Sequence, residues 1–150
     1  MQPVKRGNVP RAIGRTKGRL NSKRHAVCDG QGRPVRLLLT KGQQSDHKGA
    51  ATLLPGLPPA KEMLGDKGYD SDAYRAALIA RNIIPCIPPS SKRKTPETYC
   101  KNLYKQRHKV ENMFAKLKDW QRIAMRSDRC AHTFLCAIQI AEIVTSSIKQ

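Results

Sequence analysis

Four side chains in the C-terminal half have types and spacings that could do chemistry: Tyr104, Arg107, Glu111 and Lys118. At about 100° per residue of an α-helix they fall at roughly 0°, 300°, 340° and 320°, within an arc of about 60°. Leu103, Val110, Met113, Phe114 and Leu117 fill the adjoining arc as a continuous apolar stripe, while Lys105, Lys109 and Lys116 gather on the opposite side. A helix with this pattern has a core face, a polar face at the core's edge and a basic face. A carboxylate next to the apolar stripe, flanked on its own face by Arg107 and Lys118, is poorly explained as random surface. The same spacing equally suits an ordinary i,i+4 ion pair between Arg107 and Glu111. A second acid, Asp66, closes the short run Lys61-Glu-Met-Leu-Gly65. Taken alone, with Lys67-Gly68 after it, Asp66 reads first as a turn residue at a strand end.

The elements that must position these residues follow from the local pattern. Residues 1–24 carry eight Lys or Arg and no acid, interleaved with Gly and Pro; such a segment is expected to be an extended basic arm. His25–Cys28 and Pro34–Thr40 read as two strands joined by the turn signal Asp29-Gly-Gln-Gly32. Asp46 opens a short Ala/Leu-rich helix that Pro55-Gly56 stops. Lys61–Gly65 predicts a buried strand ending at Asp66, and Asp70 or Ser71 caps a helix from about Asp72 to Arg81. Ile83–Ile87 predicts a further strand, at a sheet edge because of Pro85. Pro88–Glu97 predicts a basic loop, in which Lys92, Arg93 and Lys94 are candidates for non-specific contact with a nucleic-acid backbone. A long helix is expected from about Lys101 and another from about Ala131. Strands alternating with helices indicate an α/β class with a mixed sheet, and residues 25–150 are expected to form one domain behind the arm.

Composition narrows the partners. A formal net charge of +18 on 150 residues repels itself in the compact state and calls for a polyanion, nucleic acid before an anionic membrane. The most apolar stretch, Phe134–Val144, is interrupted by Gln139 and Glu142 and is too short and polar to span a bilayer. The five cysteines contain no C-x-x-C pair, which argues against a disulfide scaffold or zinc ribbon and for a reducing cytoplasmic compartment. Cys130, His132 and Cys136 match no ordinary zinc spacing. Trp120, the only tryptophan, is equally suited to stacking on a base or to packing.

The block Tyr104-x2-Arg107-x3-Glu111-x6-Lys118 resembles, position for position, the Y-R-E-K signature around the third catalytic acid of bacterial insertion-sequence DDE transposases of the insertion-sequence four/five type. Trp120-Gln-Arg-Ile-Ala-Met-Arg-Ser-Asp128 and the apolar helix after it are similar to the continuation in that group. So are Gly14-Arg-Thr-Lys-Gly-Arg-Leu-Asn-Ser-Lys-Arg-His25 and Leu64-Gly-Asp66-Lys-Gly-Tyr69-Asp70, the latter matching the block around the group's second Asp. The resemblance runs from about residue 14 to 148 and covers the catalytic C-terminal portion of such an enzyme.

This resemblance implies an RNase H-like mixed sheet flanked by helices, lacking its first strand. It implies metal-dependent DNA strand cleavage and strand transfer, with Asp66 and Glu111 as catalytic metal ligands for Mg²⁺ or Mn²⁺, two ions in the completed site. Such ions are hard and take carboxylate oxygens rather than thiols or imidazoles. Tyr104, Arg107 and Lys118 are implied to position the DNA end. The family's first Asp precedes the basic Gly-rich block, where this chain has no acid; Asp29 and Asp46 align with non-catalytic positions. An upstream polypeptide or fusion is therefore expected to supply the first Asp, and the isolated chain is expected to be inactive. The implied partners are insertion-sequence ends and target DNA, further copies of the chain on DNA, and no membrane; the implied location is the bacterial cytoplasm, at the nucleoid. A non-catalytic DNA-binding protein, or an inhibitor of transposition derived from a transposase, is the alternative.

Overall fold

In the computed structural model the chain is described over residues 12–17, 19–119 and 130–147, with 142–147 by backbone alone. Trp120 and most of the basic arm, residues 1–11 and 18, lie outside the described residues. The chain divides into two compact units, residues 1–43 with 112–150 and residues 44–111.

In the first unit, β1 (Gly14–Arg15), β2 (Leu20–Cys28) and β3 (Pro34–Lys41) form an antiparallel sheet in that order. The expected hairpin is present. In its turn the Asp29 carboxylate accepts hydrogen bonds from the Gln31 and Arg33 amides at 2.9 and 3.0 Å, and Gly32 takes the positive φ of 81° that a side chain would resist. β2 begins earlier than expected, at Leu20, so the end of the basic arm is part of the sheet. His25, buried on β2, lies 2.9 Å from the Thr40 hydroxyl of β3, which offsets the cost of burying both groups.

The helix α5 (Ala131–Ser147) packs on β3. Its Phe134, Ile138 and Ala141 join Leu117 in a buried cluster against which Leu37, Leu39 and Phe114 pack. The spacing of these α5 residues, four and then three positions, is what lays them on one helical face. Leu117 and Met113 are the buried members of the apolar stripe anticipated for the preceding helix.

In the second unit, α1 (Asp46–Leu53) is followed by a 3₁₀ turn at Leu54–Gly56, where Pro55 ends the α ladder. β4 (Glu62–Leu64) and β5 (Ile84–Cys86) form a parallel pair, connected through α2 (Asp72–Ala80). β4 is half-exposed rather than buried, and among the described residues it has one strand neighbour. Among the described residues the strands thus fall into an antiparallel three-stranded sheet and a parallel pair; they are not hydrogen-bonded into one mixed sheet.

The expected long helix from Lys101 is not continuous. It consists of α3 (Lys101–Tyr104), a 3₁₀ turn at Lys105–Arg107, and α4 (His108–Lys118). At the break the His108 ring nitrogen Nδ1 approaches the Lys105 carbonyl oxygen at 2.7 Å, a local bond that competes with the helical ladder. The tighter 3₁₀ winding changes the angular offset of Tyr104 from Glu111 that a straight α-helix would give. From Arg107 onward the α spacing holds.

Candidate active site

Asp66 follows β4 directly. Gly65 before it sits close to β5's continuation, where an added Cβ would stand 3.2 Å from Ile87 Cγ1 and press on that side chain. The chain then turns through a 3₁₀ segment, Lys67–Tyr69, closed by the Tyr69 amide donating to the Asp66 carbonyl at 2.8 Å. α1 packs on this turn, and a Cβ on Gly68 would stand 3.2 Å from the Asp46 carboxylate. The Asp66 side chain does not cap the turn, so its oxygens project elsewhere.

They project toward Arg107. Its Nη1 lies 3.7 Å from Asp66 Oδ2, and its Nη2 donates to Glu111 Oε1 at 2.7 Å. One guanidinium therefore joins an acid from a strand end to an acid on a helix 45 positions later (111 − 66). Arg107 is 26% exposed in its side chain, whereas Asp66 and Glu111 are 52% and 62% exposed. The i,i+4 pair that the spacing allowed is formed, and Asp66 shares its cation. The same guanidinium lies 5.8 Å from the centre of the Tyr104 ring, which in turn meets Tyr99 edge-on at 5.5 Å. Burial, with the negative charges of Asp46 and Asp66 adding, pushes the Tyr69 phenol up to about 12.

Two exposed carboxylates that already converge on one cation are a fitting donor pair for a hard divalent ion. No third Asp, Glu, His or Cys completes a cluster with them among the described residues. Lys118 lies exposed at the end of α4, seven residues beyond Glu111 and so about 20° away around the helix.

The basic loop holds a surprise at Arg93. Its guanidinium donates twice to Asp70, at 2.9 Å each, and pairs with Asp72 at 2.6 Å. Arg75 also donates to Asp70 at 2.7 Å and to the Ile87 carbonyl at 2.7 Å, and the Ser90 amide donates to Asp70 at 2.6 Å. Asp70, expected only as a possible cap, is thus a buried hub, while Ser71 caps α2 by accepting from the Tyr74 amide at 3.2 Å. The guanidinium of Arg93 is taken up within the protein, and Lys92 and Lys94 beside it are the exposed cations of the loop. The available sequence signal was Arg75 three residues before Leu78, a charge on the buried face of α2 that demands a buried partner. None of the five cysteines forms a disulfide, and no helix among the described residues is long and apolar enough to cross a membrane.

The family model described as the transposase DDE domain matches residues 5–141. The chain belongs to the DDE transposase family. This DDE domain is 36% identical over 124 residues to a transposase assigned to insertion sequence element IS6501 of Brucella ovis, an alignment covering 81% of the chain and 95% of the relative. It is 32% identical over 126 residues to one assigned to IS402 of Burkholderia cepacia, covering 77% of the chain and 57% of that relative. A transposase for IS1106 of Neisseria meningitidis serogroup B is 33% identical over 104 residues, which are 66% of the chain and 36% of the relative. The DDE domain therefore spans nearly all of the first relative, more than half of the second and about a third of the last. No solved structure matches it.

Proposed function

We propose that this chain acts in DNA transposition, cutting and joining DNA strands with divalent ions held by Asp66 and Glu111. The supporting observation is the convergence of these two carboxylates on Arg107, in a chain whose family depends on divalent metal. Bound Mg²⁺ or Mn²⁺, two ions in the completed site, supplies activation of the attacking oxygen and stabilisation of the leaving one.

The chain's own residues do the positioning. Arg107 and Lys118 engage the phosphates flanking the scissile one, Arg107 with the geometry for a bidentate contact. Tyr104 offers a ring face beside Arg107, and Trp120 a surface for stacking on a base. Lys92 and Lys94 grip the backbone without reading sequence, while Arg93 holds their loop in place. The third acid comes from an upstream polypeptide or fusion, since two acids alone are a short donor set for two ions. The sheet is RNase H-like and short of its first strand, as the resemblance to insertion-sequence transposases implies. Copies of the chain assemble on paired insertion-sequence ends in the bacterial cytoplasm.

A second reading, a non-catalytic binder or inhibitor, draws on the net charge of +18 and the two-acid site. Mg²⁺-dependent nicking of terminal-repeat DNA separates them. The chain alone is expected to bind without cleaving, and a fusion carrying the upstream segment is expected to cleave. Glu111→Gln in the fusion should reduce cleavage to background while leaving DNA binding within about threefold. Cleavage by the Glu111→Gln fusion at the parental rate would refute the catalytic reading.

A further inference from the structure

We propose that Arg107 is an exchangeable counter-cation: it bridges Asp66 and Glu111 while no divalent ion is bound, and moves off toward phosphate when one binds. The inference rests on the reading of those two acids as metal ligands, and adds to it a second, metal-dependent position for Arg107.

The geometry supplies the argument. Two carboxylates held near each other repel, and a cation between them relieves that repulsion. Arg107 is that cation, with one nitrogen on each acid at 3.7 and 2.7 Å. The acids are more than half exposed and the guanidinium only about a quarter, so an ion from solvent reaches the acid oxygens before it meets Arg107. A divalent ion on those oxygens places like charge beside the guanidinium. A guanidinium cannot shed its proton to escape, so it must be displaced. Its stem is flexible, and the Tyr104 ring, 5.8 Å away, gives it a surface over which to move. The displaced fork then meets the ligand for which it is best shaped, a phosphate. Ion binding and DNA binding become coupled through one side chain: each favours the arrangement the other needs.

The exchange predicts opposite signs for two measurements on one variant. In Mn²⁺ titrations of the full chain, followed by electron paramagnetic resonance of the free ion, Arg107→Gln should tighten binding about fivefold, the scale of one partly exposed ion pair. Arg107→Lys keeps the charge but cannot span both acids, and should tighten it less. In anisotropy titrations with duplex oligonucleotide, the loss of affinity caused by Arg107→Gln should be larger in Mn²⁺ than in EDTA. Unchanged or weaker Mn²⁺ binding by Arg107→Gln would overturn the exchange, as would an equal DNA penalty in both conditions. Asp66→Asn and Glu111→Gln are the separate control: Mn²⁺ binding indifferent to both would refute the ligand reading itself, and the exchange with it.

Discussion

At Asp70 two arginines and a backbone amide converge on one carboxylate that is 1% exposed. The hydrogen bonds from Arg93 hold its acid well below the usual carboxylate range, with Ser90 and Arg75 acting in the same direction against the cost of burial. Asp70→Asn removes the charge and leaves Arg75 buried without its counter-ion, so a loss of about 3 kcal/mol is expected in urea unfolding at pH 7. The sign of the pH dependence follows from the lowered value. The carboxylate's contribution is complete above the unfolded-state value near 4 and declines as pH falls toward the folded-state value. The gap between parent and variant should therefore narrow below about pH 4; a gap that stays constant down to pH 2 would show that the charge is not what stabilises. Tyr69 gives the converse case. Its phenol, pushed up to about 12, favours the folded state up to about pH 10, and that contribution is lost as pH rises toward 12. An alkaline absorbance titration should show a late tyrosine step, absent in Tyr69→Phe.

Elements were legible in proportion to how local their causes are. The β2–β3 hairpin, α1, the Pro55 stop, the Ser71 cap and the strands at Glu62–Leu64 and Ile84–Cys86 follow from turn residues, caps and alternation close by. The interruption at Lys105–Arg107 did not, because no Gly or Pro marks it and the His108 contact with Lys105 depends on a rotamer. Asp66 and Glu111 stood out through motif spacing, but their sharing of Arg107 is a tertiary fact. The pairing of Arg93 is hidden for a related reason: among Lys92 and Lys94 it looks like one of three surface cations, and only the fold brings Asp70 and Asp72 to it. If Arg93 anchors this loop, Arg93→Gln should speed limited trypsin cleavage after Lys92 or Lys94 several-fold without lowering Tm by more than a few degrees. An unchanged cleavage rate would show that the loop is held by something else.

For the whole molecule, charge is the dominant property. A net +18 makes DNA affinity steeply dependent on salt, whatever the sequence bound. The slope can be apportioned: if Lys92 and Lys94 both lie on phosphates, Lys92→Gln with Lys94→Gln should reduce the log K against log salt slope by about 2. An undiminished slope would remove the loop from the interface. Neither the division into two units nor the grouping of strands was readable beforehand, since both depend on which segments meet rather than on what any segment is.

The parallel ribbon of β4 and β5 carries a consequence for the protein in solution. Each strand is three residues long and, among the described residues, has a strand neighbour on one side only, and Ile84 is 64% exposed. A backbone edge of that kind is a template waiting for another strand. In concentrated solution the nearest supply is a sister molecule, so light scattering should reveal association that grows with concentration and recedes when a cognate strand is provided in cis. Solubility, on this view, reports whether the ribbon has found its complement.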